Sequence, residues 1–129
     1  MSVEIEFFAE TVRCYTENEV LIIGLGDQGE TPANFVIVTR FDETEDVEGN
    51  DDAIGVQTNL SEREYLGMVN KITLTKNVFE IFIKKDKTDE IKISHIKIRF
   101  DSSKIDSGKL IEYLHGIFDR SSVVLDISY

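Results

Sequence analysis

The chain has 129 residues, and its 25 acidic residues outnumber its 14 lysines and arginines, so the formal net charge is −11. This charge argues against nucleic acid or an anionic membrane as the direct partner, because both would repel an acidic surface. The hydrophobic fraction of 41%, with eight Phe and four Tyr, predicts a folded protein rather than a disordered acidic chain. The length predicts a single domain over residues 1–129 that can bury its own core.

The start of the chain and its cysteine content bear on the compartment. Residues 1–6 lack the basic region and long apolar run of a secretory signal, and no stretch reaches the roughly 18 apolar residues that span a bilayer. Cys14 is the single cysteine, which rules out an internal disulfide and fits a reducing compartment. We therefore expect a cytoplasmic protein with no membrane segment.

The first half of the chain predicts short strands separated by turns. Apolar and acidic residues alternate from Val3 to Ala9, which is the period of a half-buried strand. The run from Val20 to Ile23 is continuously apolar and is typical of a strand buried on both faces. Further strands or β-prone segments are predicted over residues 11–15, 34–41 and 53–60.

A hairpin and a long strand are predicted next. Strands over residues 67–75 and 79–83 flank Lys76-Asn77, which favours a tight turn because Asn tolerates positive φ. In the following strand, residues 90–100, the apolar positions change from odd to even numbers near Ser94-His95. If both sets face one core, a β-bulge is expected there, whereas a sheet covered on both sides needs none.

One helix is predicted near the C-terminus, over about residues 103–119, from apolar residues at helical spacing. Asp101 or Ser102 can cap its start. Residues 123–127 then predict a short final strand. This order predicts an α+β fold, in which a mostly antiparallel sheet of about seven to eight strands accompanies one long C-terminal helix.

The segment Gly24-Leu25-Gly26-Asp27-Gln28-Gly29 matches the G-x-G-x-x-G pattern of dinucleotide-binding loops and follows an apolar strand. Such a loop needs a helix directly after it, because the helix N-terminus holds the pyrophosphate. Pro32 and a predicted strand follow instead. We therefore interpret this segment as a glycine-rich connection between strands.

The most distinctive segment is acidic and contains no basic residue. A Ca²⁺ site is conceivable because this hard cation prefers carboxylates, but Val47 occupies the position where an EF-hand loop starting at Asp42 requires glycine. A solvated loop or an interaction surface for a basic partner fits better. The seven acidic residues are Asp42, Glu43, Glu45, Asp46, Glu48, Asp51 and Asp52.

The titratable residues outside this segment are scattered. His95 and His115 have no metal-ligand spacing to each other or to Cys14, so we predict neither a metal site nor a catalytic dyad. Tyr65 stands at a loop edge beside Glu62 and Glu64. An aromatic residue there can anchor an interface, although it more often covers the rim of a core.

The order of segments carries a resemblance. The apolar run and glycines of residues 20–26 are followed by the strand-like segment 34–40, an acidic spacer and a strand around residues 55–57. A Tyr-x-Gly-x-Val pattern then opens the segment 65–74, and paired strands and a terminal helix complete the chain. Over residues 20–118 this order resembles immunity protein family 10 of bacterial polymorphic toxin systems. The resemblance implies a small cytoplasmic protein that binds and neutralises a cognate toxin domain, and it transfers no catalytic residue.

We therefore predict a non-enzymatic immunity protein that occludes a basic toxin domain with an acidic surface, without a cofactor, a metal or nucleic acid. The alternative is a β-rich module that binds a small molecule or Ca²⁺. An enzyme and a structural subunit are further alternatives. The predicted partner-binding residues are Asp42, Glu43, Glu45, Asp46, Asp51, Asp52, Glu62, Glu64 and Tyr65.

Overall fold

The computed structural model describes residues 2–28, 30–41 and 51–129. Within these residues, ten strands form two five-stranded sheets, which are called sheet one and sheet two below. The strands are β1 Val3–Ala9, β2 Thr11–Glu17, β3 Val20–Gly26, β4 Phe35–Phe41, β5 Ile54–Thr58, β6 Tyr65–Leu66, β7 Val69–Thr75, β8 Val78–Ile83, β9 Ile93–Phe100 and β10 Val124–Ser128. The helices are α1 Thr88–Ile91 and α2 Ser107–Phe118, and short 3₁₀ turns cover Asp51–Ala53, Lys85–Lys87 and Ser102–Lys104.

Sheet one has the strand order β1-β9-β8-β7-β10 and is mixed. Its central pairs are antiparallel, whereas β1 pairs with β9 and β10 pairs with β7 in parallel. The inward positions of its middle strands are occupied by Ile and Phe side chains; Phe79, Ile81 and Ile96 are fully buried. Charged and other polar residues occupy most of the opposite face, as expected for a sheet with one face in water.

Sheet two is an antiparallel meander in the order β2-β3-β4-β5-β6. Directly paired residues of an antiparallel sheet lie on the same face, so the register aligns Ile23, Val38 and Val56 in one row. All three are fully buried. They join the inward side chains of sheet one and of α2 in one contiguous hydrophobic core.

Helix α2 packs on the inward face of β2 and β3. Its buried residues Leu110, Leu114, Ile117 and Phe118 recur at the spacing of one helix face. On the same side, the hydroxyls of Thr16 and Tyr113 lie 2.9 Å apart. The helix therefore closes the core at the β2 side of sheet two.

Arg40 is a buried charge at the junction of β4 and α2, with 2% of its surface exposed. Its guanidinium Nη1 donates a hydrogen bond of 3.1 Å to the carbonyl oxygen of Ile117 in the last turn of α2. The last carbonyls of a helix carry partial negative charge and lack partners within the helix, so a cation there is stabilising.

The predicted α+β class is confirmed, but the predicted number of strands and the predicted number of sheets are corrected. The described residues contain ten strands in two sheets, where the sequence predicted one sheet of about seven to eight strands. Strand β6, which the sequence did not predict, has two residues, and the predicted segment 11–15 forms β2, which follows β1 after a bend at Glu10. The chain passes from sheet one to sheet two at this bend, which alternation of side chains cannot reveal.

The predicted bulge is confirmed at Ser94. Val3 pairs with Ile93 and Glu4 pairs with His95, so Ser94 is the extra residue that moves the apolar side chains from odd to even positions. The predicted start of this strand at residue 90 is wrong. Residues 88–91 form helix α1, which ends at Lys92 in the left-handed conformation (φ 66°).

The predicted C-terminal helix is also confirmed, but it begins later than expected. Asp101 caps the 3₁₀ turn, where it accepts a hydrogen bond from the Ser103 amide. Asp106 caps α2 itself by accepting a hydrogen bond from the Lys109 amide. The described residues include no helix long and apolar enough to cross a membrane.

Candidate functional site

The face of sheet two that points away from the core carries apolar side chains that no described element covers. The sequence predicted that β3 is buried on both faces, and this prediction is wrong. Ile23 is fully buried, but its neighbour Ile22 is half-buried on the opposite side, where no described helix or sheet packs. We call this side the outer face of sheet two.

The strand register arranges the outer face in rows that run across β2, β3 and β4. Apolar and aromatic side chains border a centre that contains two glycines. The rows are Thr11, Gly26 and Phe35; Arg13, Gly24 and Ile37; and Tyr15, Ile22 and Thr39.

A groove of about 540 Å³ follows these rows, and we call it the Gly24 groove. Gly24 forms part of its floor, because a Cβ atom built at this residue would meet nothing within 4 Å. Arg13 and Tyr15 stand on one side, and Phe35 and Ile37 stand on the other. A groove of this size with mainly apolar walls and one cation can bind either a small molecule or a protruding side chain of a protein.

The loop between β3 and β4 closes one end of the groove. Pro32 lies so near Gly26 that a Cβ atom there would come within 3.1 Å of it. Asp27 braces the base of this loop, because its carboxylate accepts hydrogen bonds from the Asn34 amide (3.1 Å) and from Asn34 Nδ2 (2.9 Å). These hydrogen bonds hold the pKa of Asp27 below its usual value.

Carboxylates lie at the opposite border of the outer face. The Glu64 side chain covers Gly55, where a built Cβ would lie 2.5 Å from the Glu64 carboxyl carbon. Thr39, which belongs to the outer face, donates a long hydrogen bond of 3.4 Å to Glu64 Oε2. Glu17 ends β2 on the same face and is exposed. An apolar centre with acidic borders is therefore present on one surface.

The predicted site residues fall into several places. Asp42, Glu43, Glu45 and Asp46 lie outside the described residues. Asp51 belongs to an internal network: its carboxylate accepts hydrogen bonds from the Ser122 amide (2.9 Å) and hydroxyl, and Lys84 Nζ is 3.1 Å away. Burial raises the pKa of Asp51, but the hydrogen bonds from Ser122 and the ammonium of Lys84 outweigh it, so the pKa lies below its usual value. This network ties the 3₁₀ turn to Lys84, directly after β8, and to Ser122, in the connection between α2 and β10.

Of the other predicted residues, Glu64 lies on the outer face. Asp52 is exposed and its carboxylate lies against Gly67. Glu62 is exposed, and its carbonyl oxygen accepts a hydrogen bond from Gln57 Nε2. Tyr65 pairs with Val56 on the inward face, where it packs on the core under the guanidinium of Arg63, 4.6 Å from the ring centre.

The nucleophilic and imidazole side chains do not converge. Burial raises the pKa of the Cys14 thiol to about 11, so the thiol is a poor nucleophile at neutral pH. His95 lies 3.1 Å from Glu80 and stacks on Phe82, while His115 pairs with Asp119 four residues later on α2. Among the described residues, no three His, Cys, Asp or Glu side chains are placed to hold a metal ion.

The outer face of sheet one provides a contrast within the same molecule. Ion pairs cross it, including Arg99 with Glu6 and His95 with Glu80. Phe8 is the large aromatic residue exposed there, at 52%. Among the described residues, the outer face of sheet one is therefore more strongly charged than the Gly24 groove.

Comparison with protein-family models and with curated proteins found no match to this chain. The Gly24 groove was not predicted from the sequence, in which Gly24 and Gly26 were interpreted as part of a connection between strands. Both glycines lie within β3, on one face and two residues apart. Glycine inside an apolar strand marks either a bulge or a place where another group approaches the backbone closely, and this was the available signal.

Proposed function

We propose that this chain is a non-enzymatic binding protein of the immunity type, which neutralises a basic toxin domain by covering part of its surface. The proposed contact surface is the outer face of sheet two together with the acidic segment that begins after Phe41. One observation carries the proposal: an apolar groove with acidic borders lies on a sheet face that no described element covers.

The composition of this surface supports a protein partner. Interfaces between proteins are enriched in Tyr, Phe and Arg at their centres, with a polar border around them. Tyr15, Phe35 and Arg13 line the groove, and the carboxylates of Glu17 and Glu64 lie at its border. An exposed aromatic residue, Phe41 at 51%, extends this surface toward the acidic segment.

The charge of the chain supports a basic partner. A net charge of −11 attracts cationic domains and accelerates their encounter, most strongly at low ionic strength. Toxin domains that act on nucleic acid often present a basic surface, since their substrate is a polyanion. Covering that surface needs complementary shape and charge but no chemistry from the inhibitor, which accords with the buried Cys14 and the separated histidines.

Affinity capture from a lysate of the source bacterium, at low and at high salt, tests this function. We expect the chain to retain a protein with a basic C-terminal domain at low salt and to release part of it at high salt. The recovered domain should be toxic when expressed alone and harmless when expressed together with this chain. A recovered partner that stays toxic in the presence of this chain, or no partner from cells that express candidate toxins, contradicts the proposal.

The groove volume favours one alternative, a module that binds a small molecule. A volume of about 540 Å³ lies within the roughly 300–1,000 Å³ of typical ligand pockets. A small apolar ligand in this groove would raise the melting temperature in proportion to its occupancy. The Ca²⁺ form of this alternative depends on the acids of residues 42–48 and on Asp52, because Asp51 already bonds with Ser122 and Lys84.

A further inference from the structure

The glycine at residue 24 is not explained by the fold of the chain. Gly67 has φ 71°, a conformation that side chains rarely adopt, and Gly55 lies beneath the Glu64 side chain. Gly26 lies against Pro32. Gly24 has neither a positive φ nor a neighbour within 4 Å of a built Cβ atom, so a larger residue would fit there in the folded chain.

Because Gly24 lies on the outer face of sheet two, the absence of a side chain there leaves a depression in the surface. It lies in the middle row of the outer face, directly paired with Arg13 on β2 and with Ile37 on β4. The result is a depression open to solvent, bordered mainly by apolar side chains, with bare backbone in its floor. Glycine inside a strand weakens the strand, and it is typical of places where another group approaches the backbone.

We propose that the Gly24 groove receives one apolar side chain of the partner, carried on a segment that also presents a lysine or arginine. This inference rests on the proposed function and specifies how the partner is recognised. The apolar side chain would lie over Gly24 between Tyr15 and Ile37. The neighbouring base of the partner would face Glu64 or Glu17, which border the same face.

The carboxylates of Glu64 and Glu17, which border the outer face beyond the groove lining, favour a basic segment as the occupant. Arg13 is the basic residue among the groove-lining residues, and no hydrogen bond or ion pair joins its guanidinium to another described residue. Its charge is small against the acidic character of the chain as a whole. Arg13 can then donate to a backbone carbonyl of the bound segment, as arginine side chains at interfaces commonly do.

The variant Gly24→Val tests this inference, because it fills the groove from its floor without a predicted clash in the fold. Gly108→Ala is a matched control: it also replaces a glycine, on α2, where a built Cβ meets Asp106 Oδ1 at an ordinary distance of 3.7 Å. The probe is a library of cyclic peptides of random sequence, selected for binding to the wild-type protein. Amide chemical shifts and melting temperatures verify that both variants are folded.

We expect the selected peptides to share an apolar residue next to Lys or Arg and to shift the amide signals of Gly24 and Ile37. We expect Gly24→Val to bind them about tenfold more weakly or worse, while Gly108→Ala binds them as the wild type does. Selected peptides that lack this pattern, that bind Gly24→Val unchanged, or that cannot be obtained at all overturn the inference.

Self-association is the competing occupant, and sedimentation velocity of the free protein distinguishes it. A wild-type dimer that becomes a monomer in Gly24→Val would mean that a second copy fills the groove, which overturns the inference.

The peptide experiment needs no toxin, so failure of the groove inference and failure of the proposed function can be distinguished. If the groove binds peptides but lysate capture yields no toxin, the immunity function fails and the groove chemistry stands; if capture succeeds while Gly24→Val binds the toxin normally, only the groove inference fails.

Discussion

Arg13 and Gly24 face each other across the β2–β3 pair, so a cation stands directly beside the one described glycine whose missing side chain leaves open space. This pair lies beside Tyr15, Ile22 and Ile37, which line the same groove at the β2 side of the sheet face. In an acidic chain, such a combination of cation, bare backbone and apolar walls indicates a surface for recognition more readily than a surface for stability.

Gly24→Ala should leave the fold intact and stabilise it. Glycine in the interior of a strand is destabilising by roughly 0.5–1 kcal/mol relative to alanine, and neither φ nor contacts require glycine here. Urea unfolding of the wild type and the variant measures the difference in free energy of unfolding. A loss of stability would show that residue 24 requires glycine, contrary to its φ and to the open space around a built Cβ atom.

Removal of the Asp51 carboxylate should destabilise the protein even though this residue belongs to an acidic segment. Asp51→Ala leaves the Ser122 amide and Lys84 without their partner, and the expected loss is about 1–3 kcal/mol. Asp52→Ala is the matched control, because Asp52 is adjacent and exposed, and its loss should be small. Equal losses in the two variants, measured by urea unfolding, would contradict a structural role for the Asp51 network.

The stability of the protein should fall in acid through three aspartates. Hydrogen bonds from Asn34 to Asp27 and from Ser103 to Asp101 lower the pKa of these carboxyls. At Asp51, burial raises the pKa, but the hydrogen bonds from Ser122 and the charge of Lys84 have the larger effect, so the pKa is lowered overall. Their unfolded pKa lies near 3.8, so the unfolded state binds more protons as the pH falls.

The stabilising contribution of these aspartates is therefore complete above the unfolded pKa and is lost as the pH falls through the lower folded values. Thermal melts between neutral pH and strong acid should show this decline, and Asp51→Asn should make it shallower. A decline of the same steepness in Asp51→Asn would show that Asp51 does not contribute to the loss of stability in acid.

Cys14 should react slowly with thiol reagents in the folded protein. Its pKa is raised to about 11 by burial, so little thiolate is present at neutral or mildly alkaline pH. We expect the rate of reaction with a disulfide reagent to increase strongly when the protein is unfolded in urea. Rapid reaction of the native protein at neutral pH would contradict the burial of this residue.

The acids of the segment after Phe41 should govern the rate of association. Neutralising Asp42, Glu43, Glu45 and Asp46 together to Asn or Gln should slow binding to the captured toxin domain and flatten its dependence on salt. The dissociation rate should change less, because exposed charges act mainly on the encounter. Unchanged association rate and salt dependence would exclude this segment from the mechanism.

Some features of the fold could be predicted from the sequence and others could not. The bulge at Ser94 was predictable because the change of phase in the strand is a local consequence of which side chains face the core. The separation into two sheets was not predictable, since it depends on a bend at Glu10 and on pairing between distant strands, such as β1 with β9. Residues 90–91 were wrongly predicted as the start of a strand, because a short apolar and charged segment fits a strand or a single helical turn equally well.

The candidate site was predicted only at its border. Glu64 was named from its position beside a loop, and the structure places it on the outer face of sheet two. Tyr65 was named for the same reason, but adjacent residues of a strand point to opposite faces, and its ring covers the core. The groove itself depends on the register of β2, β3 and β4, which sequence alone does not supply.

The most direct test of the central claim compares two exposed aromatic residues on opposite sheets. Tyr15 (43% exposed) lines the groove on edge strand β2, and Phe8 (52% exposed) lies on edge strand β1 of sheet one. The measurement is the affinity of wild type, Tyr15→Ser and Phe8→Ser for the toxin domain recovered by capture. The account predicts that Tyr15→Ser weakens binding about tenfold or more and that Phe8→Ser leaves it unchanged. Equal affinity of the wild type and Tyr15→Ser, or a greater loss in Phe8→Ser, would contradict the outer face of sheet two as the binding surface.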